Sequence, residues 1–256
     1  MEIILGCKGF NFLNQREVDL LLATAIKLGV SRVDTAPTYP TSEKKIGNFL
    51  RRYPDSLKVS TKIFRDQNSI DTKSGRYELE KSLERLSVDC AETLFIHNSM
   101  ISKKDLDLYH FFIDLKKEIK IMSLGWCGVA HEKLKEAIEF DVAMVRANPW
   151  DDGLSKLSLP FKLKEVIGMN IFANGFWRYK PWGKLEELWR GHLLRQFNPL
   201  PSYYLNHPKR KELEDFQNYE ELFSFARSKL LLKSVVVGTN NPKHLAQIVH
   251  WRNSIS

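Results

Sequence analysis

Cysteine is scarce in this chain. There are three residues in 256, Cys7, Cys90 and Cys127, with no Cys-x-x-Cys pair among them. An odd, widely spaced set of this kind excludes a disulfide framework and fits a reducing compartment, so a cytoplasmic protein is expected. Long hydrophobic runs are missing as well: none approaches the ~18–20 residues of a membrane-crossing helix, and no membrane association is expected. The opening stretch MEIILGCKGF has neither a basic leader nor a small-residue cleavage site, so it does not read as a secretory signal. The phosphate-binding fingerprint Gly-x-Gly-x-x-Gly of open doubly wound sheets is absent after the first strand candidate, where Gly6-Cys7-Lys8-Gly9 stands instead. A dividing linker is absent too, so a single domain spanning 1–256 is expected.

What is present is ordinary for a globular protein. Apolar residues make up 43% and charged residues 27%, which excludes a mostly disordered chain. The 39 Lys+Arg exceed the 31 Asp+Glu, for a net charge of +8. Such a balance suits a polyanion, a small phosphorylated ligand, or merely a basic surface. The basic residues are dispersed, as in Lys44-Lys45, Arg51-Arg52 and Lys116-Lys117, mostly with acidic neighbours within a turn. They read as solvated helix faces. With no nucleic-acid motif or aromatic-basic platform beside them, no nucleic-acid partner is expected.

Short β-rich runs alternate with amphipathic stretches nearly from end to end. Strands are predicted at Ile3–Gly6, Arg32–Thr35, Lys58–Ile63, Thr93–His97, Ile121–Trp126, Val142–Ala147, Gly168–Ala173 and Ser234–Val237. Helices are predicted over 15–28, 42–52, 76–86, 103–118, 131–139, 184–196, 210–229 and 242–251. In the first, Val18, Leu21, Leu22, Ala25 and Ile26 share a face by their 3–4 spacing, and Gly29 stops the helix. The second opens on Ser42, a residue type that caps, with Glu43 in its first turn. The stretch from 174 to 208, rich in Pro, Gly, Trp and Tyr, reads as a long loop holding one helix. Eight strands that are apolar on both faces, each followed by a helix, point to α/β architecture with a parallel sheet. Closing eight such units gives a (β/α)8 TIM barrel, for which 256 residues is a typical length.

In a barrel the active site sits where strands end. Asp34 follows the second strand, with Tyr39 a few residues on in the loop DTAPTY; Lys62 lies near the end of the third; His97 ends the fourth. Each has a plain reading by itself: a capping carboxylate, a loop aromatic, a lysine snorkelling out of the wall, a satisfied core histidine. Four unlike ionisable groups brought by three consecutive strands to one mouth make a chemical site instead.

The stretch GVSRVDTAPTYPTSEKKIGNFL resembles the signature of the aldo-keto reductase family, departing from it at Pro40, where Gly is usual, and carrying Val33 before the Asp. Three further segments fit in order: VSTKI, LEKSLERLSVDCAETLFIHN and VVVGTNNPKHLAQIV. The resemblance implies a (β/α)8 barrel that reduces an aldehyde or ketone to an alcohol with hydride from NADPH, or less favourably NADH. Its partner would be a small carbonyl compound. It assigns Tyr39 as general acid, His97 as its neighbour at the carbonyl, and Lys62 with Asp34 as an ion pair behind them. A free phenol has a pKa of about 10, and the expectation is that the nearby ammonium lowers it. The segment after the last strand would hold the nucleotide's phosphate and adenine through Gly238, Thr239, Asn240, Lys243, His244 and Gln247, with Pro242 in the first turn of the helix. Loops after strands five to seven would line the substrate pocket with Trp126, Trp150, Phe172 and Phe176, although Trp126 equally suits the barrel wall.

The resemblance departs from the family around the nicotinamide carboxamide. The usual Ser-Asn after strand five reads Cys127-Gly128, the Gln on strand six falls on Met144, Asn174 stands where an aromatic stacks, and Ile248 replaces an Asn. Cys127 is kept among the expected cofactor contacts. These changes motivate an alternative: a catalytically weak or inactive relative that binds nucleotide in a regulatory or biosynthetic-partner role.

Overall fold

The computed structural model describes residues 1–64, 72–97, 106–128, 140–149, 151–152, 163–172 and 219–254. The elements are β1 (Glu2–Gly6), a short 3-10 turn (Lys8–Phe12), α1 (Gln15–Lys27), β2 (Arg32–Asp34), α2 (Ser42–Leu50), β3 (Lys58–Phe64), α3 (Thr72–Leu86), β4 (Ala91–His97) and α4 (Leu106–Lys117), then β5 (Ile121–Cys127), β6 (Val142–Asn148), β7 (Asp151–Asp152), β8 (Glu165–Met169), α5 (Tyr219–Arg227), β9 (Ser234–Gly238) and α6 (Pro242–Ser254). Eight of the strands close in the order β1-β2-β3-β4-β5-β6-β8-β9, with β9 returning to β1. Every neighbour in that ring is parallel, and β7 pairs antiparallel with the end of β6. The chain is therefore the (β/α)8 barrel that the strand and helix alternation predicted. The expected helices over 131–139 and 184–196 lie outside the described residues.

Strand alternation sorts the core into two layers. On the outer side Leu5, Val33, Ile63, Leu94, Ile96, Trp126, Val145 and Val237 pack against the helices. On the inner side Ile4, Phe95, Cys127, Val142, Met144 and Ile167 fill the lumen. The lumen packs closely enough to require a glycine: a Cβ on Gly125 would stand 2.4 Å from the ring carbons of Phe95.

The helices form for local reasons. Asn14 accepts from the Glu17 N–H while Glu17 reaches back to the Asn14 N–H, a reciprocal cap worth about 0.5–2 kcal/mol. Val18, Leu21, Leu22 and Ala25 are buried beneath it, and Gly29, at φ +75°, turns the chain out as expected. Two expectations need correction. Ser42 does not cap α2: Thr41 occupies that position in the left-handed region at φ 63° and caps through no side chain. Ser42 instead turns inward, donating 3.0 Å to the Cys7 carbonyl. The strand expected at Gly168–Ala173 runs over Glu165–Met169, because Asn170 takes a left-handed conformation at φ 53° and ends it before the apolar run does.

The N-terminal end of the barrel is closed by a charge cluster that starts from Arg32, the first residue of β2. Arg32 is 8% exposed, and its guanidinium grips Glu165 with two bonds of 2.8 and 3.0 Å and reaches Glu2 at 3.2 Å. Ser234 donates to the same Glu165 carboxylate. Residues from four strands are thereby tied across the floor of the lumen.

Candidate active site

The opposite end carries the ionisable residues. Register sets Asp34 beside Ser60, Lys62 beside Phe95, and His97 between Phe64 and Cys127. The Lys62 Nζ lies 2.6 Å from each Asp34 carboxylate oxygen and donates to the Thr35 carbonyl at 2.8 Å. Both side chains are buried, at 3% and 7% exposure. Burial works against the ammonium, but the Asp34 carboxylate outweighs it and holds the Lys62 pKa above the ordinary lysine value. A charged pair in contact is the state this geometry supports.

Tyr39 comes from the turn between β2 and α2 and is half-buried. Its ring centre lies 5.8 Å from the Lys62 Nζ. The expected lowering of the phenol's pKa is not found. Burial raises it above the ordinary tyrosine value; Lys62 pulls it down, while Asp34, Cys127 and Cys7 push it up. Desolvation is the largest of these influences, and the direction is upward. His97 ends β4, and its side chain lies outside what is described.

Residues not foreseen hold this corner in place. The Cys7 N–H donates to the Asp34 carbonyl at 2.8 Å, and the Thr35 N–H to the Ser60 carbonyl at 2.9 Å. The Thr35 and Ser42 hydroxyls are 2.9 Å apart. Behind β3, the buried Glu43 carboxylate accepts from the Thr61 hydroxyl and from Arg85, both at 2.7 Å. Because Thr61 and Lys62 point to opposite sides of the strand, Glu43 fixes β3 from outside while Asp34 fixes it from within. The -Ser-Glu- that opens α2 was the available signal; alternation along β3 would have led from it to Thr61.

At the end of β9, the Thr239 hydroxyl accepts from the Asn241 N–H at 3.1 Å, and the Asn241 side chain accepts from the Lys243 N–H at 2.9 Å. Asn240 packs over Gly9, where a Cβ would come within 2.2 Å of its amide oxygen. Gly238, Asn240, Lys243, His244 and Gln247 are all exposed, and Thr239 is half-exposed. Lys243 makes no ion pair among the described residues. An unengaged lysine with neutral donors around it, next to a helix N-terminus, fits a phosphate group. Ile248, by contrast, faces the core at 6% exposure.

Two of the residues expected to line the substrate pocket pack on the outer side of the barrel wall. Trp126 is 1% exposed and faces the helix layer, since its neighbours Gly125 and Cys127 face the lumen. Phe172 packs edge-on against Tyr219 at the start of α5, with ring centres 5.1 Å apart, and joins the outer cluster. Trp150 and Phe176 lie outside the described residues. Cys127 does face the lumen, with its thiol pushed up to about 11, first by burial and then by Asp34.

A barrel with a buried Lys–Asp pair and a tyrosine at its mouth defines a class, and comparison with known proteins supplies the family. The family model described as the aldo/keto reductase family matches residues 2–253, and the chain belongs to that family. It is similar to the D-threo-aldose 1-dehydrogenase of a Pseudomonas species, at 26% identity over 93% of this chain and 84% of the relative. It also resembles the methylglyoxal reductase of Yersinia pestis, at 27% identity over 129 residues, a match spanning 48% of this chain and 44% of that protein. Among solved structures, the holo form of an aldo-keto reductase from Bacillus halodurans superposes with a TM-score of 0.70 at 18% identity, covering 99% of this chain and 87% of the other. A Pseudomonas aeruginosa structure named for the same family gives 0.69 at 23% identity, covering 97% and 88%. Membership makes the chain an oxidoreductase, of a family that uses nicotinamide cofactors on small carbonyl compounds. No helix among the described residues is long and apolar enough to cross a membrane.

Proposed function

We propose that this chain, acting as one domain, reduces an aldehyde or ketone to an alcohol with NADPH, using Tyr39 as the general acid. The observation that carries the reading is the buried Lys62–Asp34 pair set 5.8 Å from the Tyr39 ring at the barrel mouth. Reduced nicotinamide supplies the hydride when it is bound. The remaining work falls to the chain. Tyr39, kept protonated at neutral pH by its raised pKa, donates a hydrogen bond to the carbonyl oxygen and passes its proton as negative charge grows there. The phenolate left behind is stabilised by the Lys62 ammonium, and Asp34 keeps that ammonium charged and aimed. His97 is assigned the second hydrogen bond to the oxygen, from its place at the end of β4. Lys243 and His244, with Gly238, Thr239, Asn240 and Gln247, are assigned to the nucleotide, Lys243 against a 2′-phosphate. Three free thiols support a cytoplasmic setting.

The test follows NADPH oxidation by absorbance with a panel of aldehydes. Tyr39→Phe should lower turnover by roughly 10²–10⁴-fold, the range for a positioned acid. Turnover that survives the change removes Tyr39 from its role. Lys243→Glu should weaken NADPH roughly 10–100-fold while sparing NADH, a charge-assisted bond contributing about 1.5–3 kcal/mol. One observation favours a second reading: Cys127, Met144 and Met169 bring sulfur side chains to the β5–β6–β8 wall of the lumen. If NADPH binds and quenches fluorescence but no carbonyl is reduced, the chain is a nucleotide-binding protein with a regulatory or biosynthetic-partner role.

A further inference from the structure

The lumen contains a sulfur cluster for which the only expectation so far is a contact between Cys127 and the cofactor. The Cys127 thiol at the end of β5 lies 3.8 Å from the Met144 sulfur on β6 and 3.8 Å from the Met169 sulfur on β8. Only 3 Cys and 5 Met occur in the whole chain, so one thiol with two thioether sulfurs at 3.8 Å is a particular arrangement. Cys127 and Met144 are buried, at 4% and 2% exposure, while Met169 is half-buried.

We propose that Cys127, Met144 and Met169 form a binding site for a soft monovalent cation, Cu(I) or its analogue Ag(I). Thiolate and thioether ligands together select that ion class over magnesium, calcium or manganese. Metal–sulfur bonds near the ~2.3 Å of a zinc thiolate, in a trigonal site, set sulfurs roughly 4.0 Å apart, close to the 3.8 Å from Cys127 to each methionine. In the binding step the Cys127 S–H bond breaks, a sulfur–metal bond forms, and the proton leaves to solvent; no group is oxidised or reduced. The thiolate–cation unit carries no net charge, so it suits walls made by Ile4, Phe95, Val142 and Ile167. Two cations, Lys62 and Arg146, act on Cys127 and favour its thiolate, and Lys62 is matched by Asp34. Harder cations find no rival site among the described residues, where no group of three His, Cys, Asp or Glu side chains is placed to hold one. Met169 and Gly128, both half-exposed, provide the way in.

The experiment titrates the whole protein with Ag(I) without oxygen, reading bound metal by native mass spectrometry and released protons with an indicator dye. One tight equivalent and one released proton are expected, unchanged in Cys90→Ser and abolished in Cys127→Ser. Met144→Leu and Met169→Leu conserve volume, so they test the thioethers without emptying the core. Each should weaken binding about 10-fold or more, at least what loss of an outer-sphere partner costs a metal site. No tight equivalent, or affinity in both Met variants equal to that of the parent, overturns the proposal. Because binding is read without turnover, failure here leaves the reductase reading untouched, and failure of that reading leaves this one standing.

Discussion

The Lys62 ammonium stands 5.8 Å from the centre of the Tyr39 ring and is matched charge for charge by Asp34. The pull of the ammonium on the phenol is opposed by that carboxylate, and burial, the largest influence, sets the direction of its titration.

From this follows a pH dependence. A raised phenol pKa means that the proton donor persists to higher pH, while the phenolate that alcohol oxidation requires is scarce at neutrality. Carbonyl reduction should hold a level kcat/KM through neutral pH and fall only above about pH 10. Alcohol oxidation should climb with pH across the same interval. Rate profiles in both directions check this, and a reduction limb falling between about pH 7 and 8 would contradict a raised phenol.

At the floor of the barrel, burial works to raise the Glu165 carboxyl, but hydrogen bonds from Arg32 and Ser234 outweigh it and hold the group below the ordinary glutamate value of 4.5. A depressed carboxyl contributes stability that is present above 4.5 and is lost as pH falls through the folded value. Denaturant unfolding measured down from pH 4.5 should show this loss. Glu165→Gln should flatten that acid slope, and it should cost about 3–5 kcal/mol at neutral pH by leaving Arg32 buried without its main partner. A variant as stable as the parent at neutral pH would dismiss the cluster as a structural tie.

Gly47 lies in α2 where the helix meets α3. Alanine is the better helix former by about 1 kcal/mol, yet a Cβ there would stand 2.0 Å from the Arg85 carbonyl oxygen. Backbone does not yield as a side chain does, so an overpacking cost of about 1–3 kcal/mol outweighs that gain, and Gly47→Ala should lower stability by up to about 2 kcal/mol in net terms. Thermal unfolding checks the sign. A raised melting temperature would mean that α2 and α3 shift apart at little cost.

The barrel was legible in the sequence because its strands are apolar on both faces and its helices end in punctuation such as Gly29. The Asp34–Lys62 contact was legible because both residues sit at strand ends, where topology brings them together. Contacts between distant segments were not. Nothing in RVD announces that Arg32 will meet Glu165 across the floor, because that contact depends on how the ring closes. Ser42 looked like a cap for the same reason: its local pattern is a capping pattern, and the inward turn onto Cys7 is set by packing. The phenol's pKa was misjudged because one neighbour, the ammonium, was weighed without the carboxylate and the burial that come with it. Trp126 was undecided until the inward positions of Gly125 and Cys127 fixed its side of the strand.

The three acceptors around Lys62, two oxygens of Asp34 and the Thr35 carbonyl, occupy all the N–H bonds an ammonium has. No donor is left over to form a wire to the phenol. Lys62 thus acts on Tyr39 through space, as a fixed potential, and such an influence changes little when the ring tilts. The acid can lean toward carbonyls of different bulk without being disconnected from the cation that supports it.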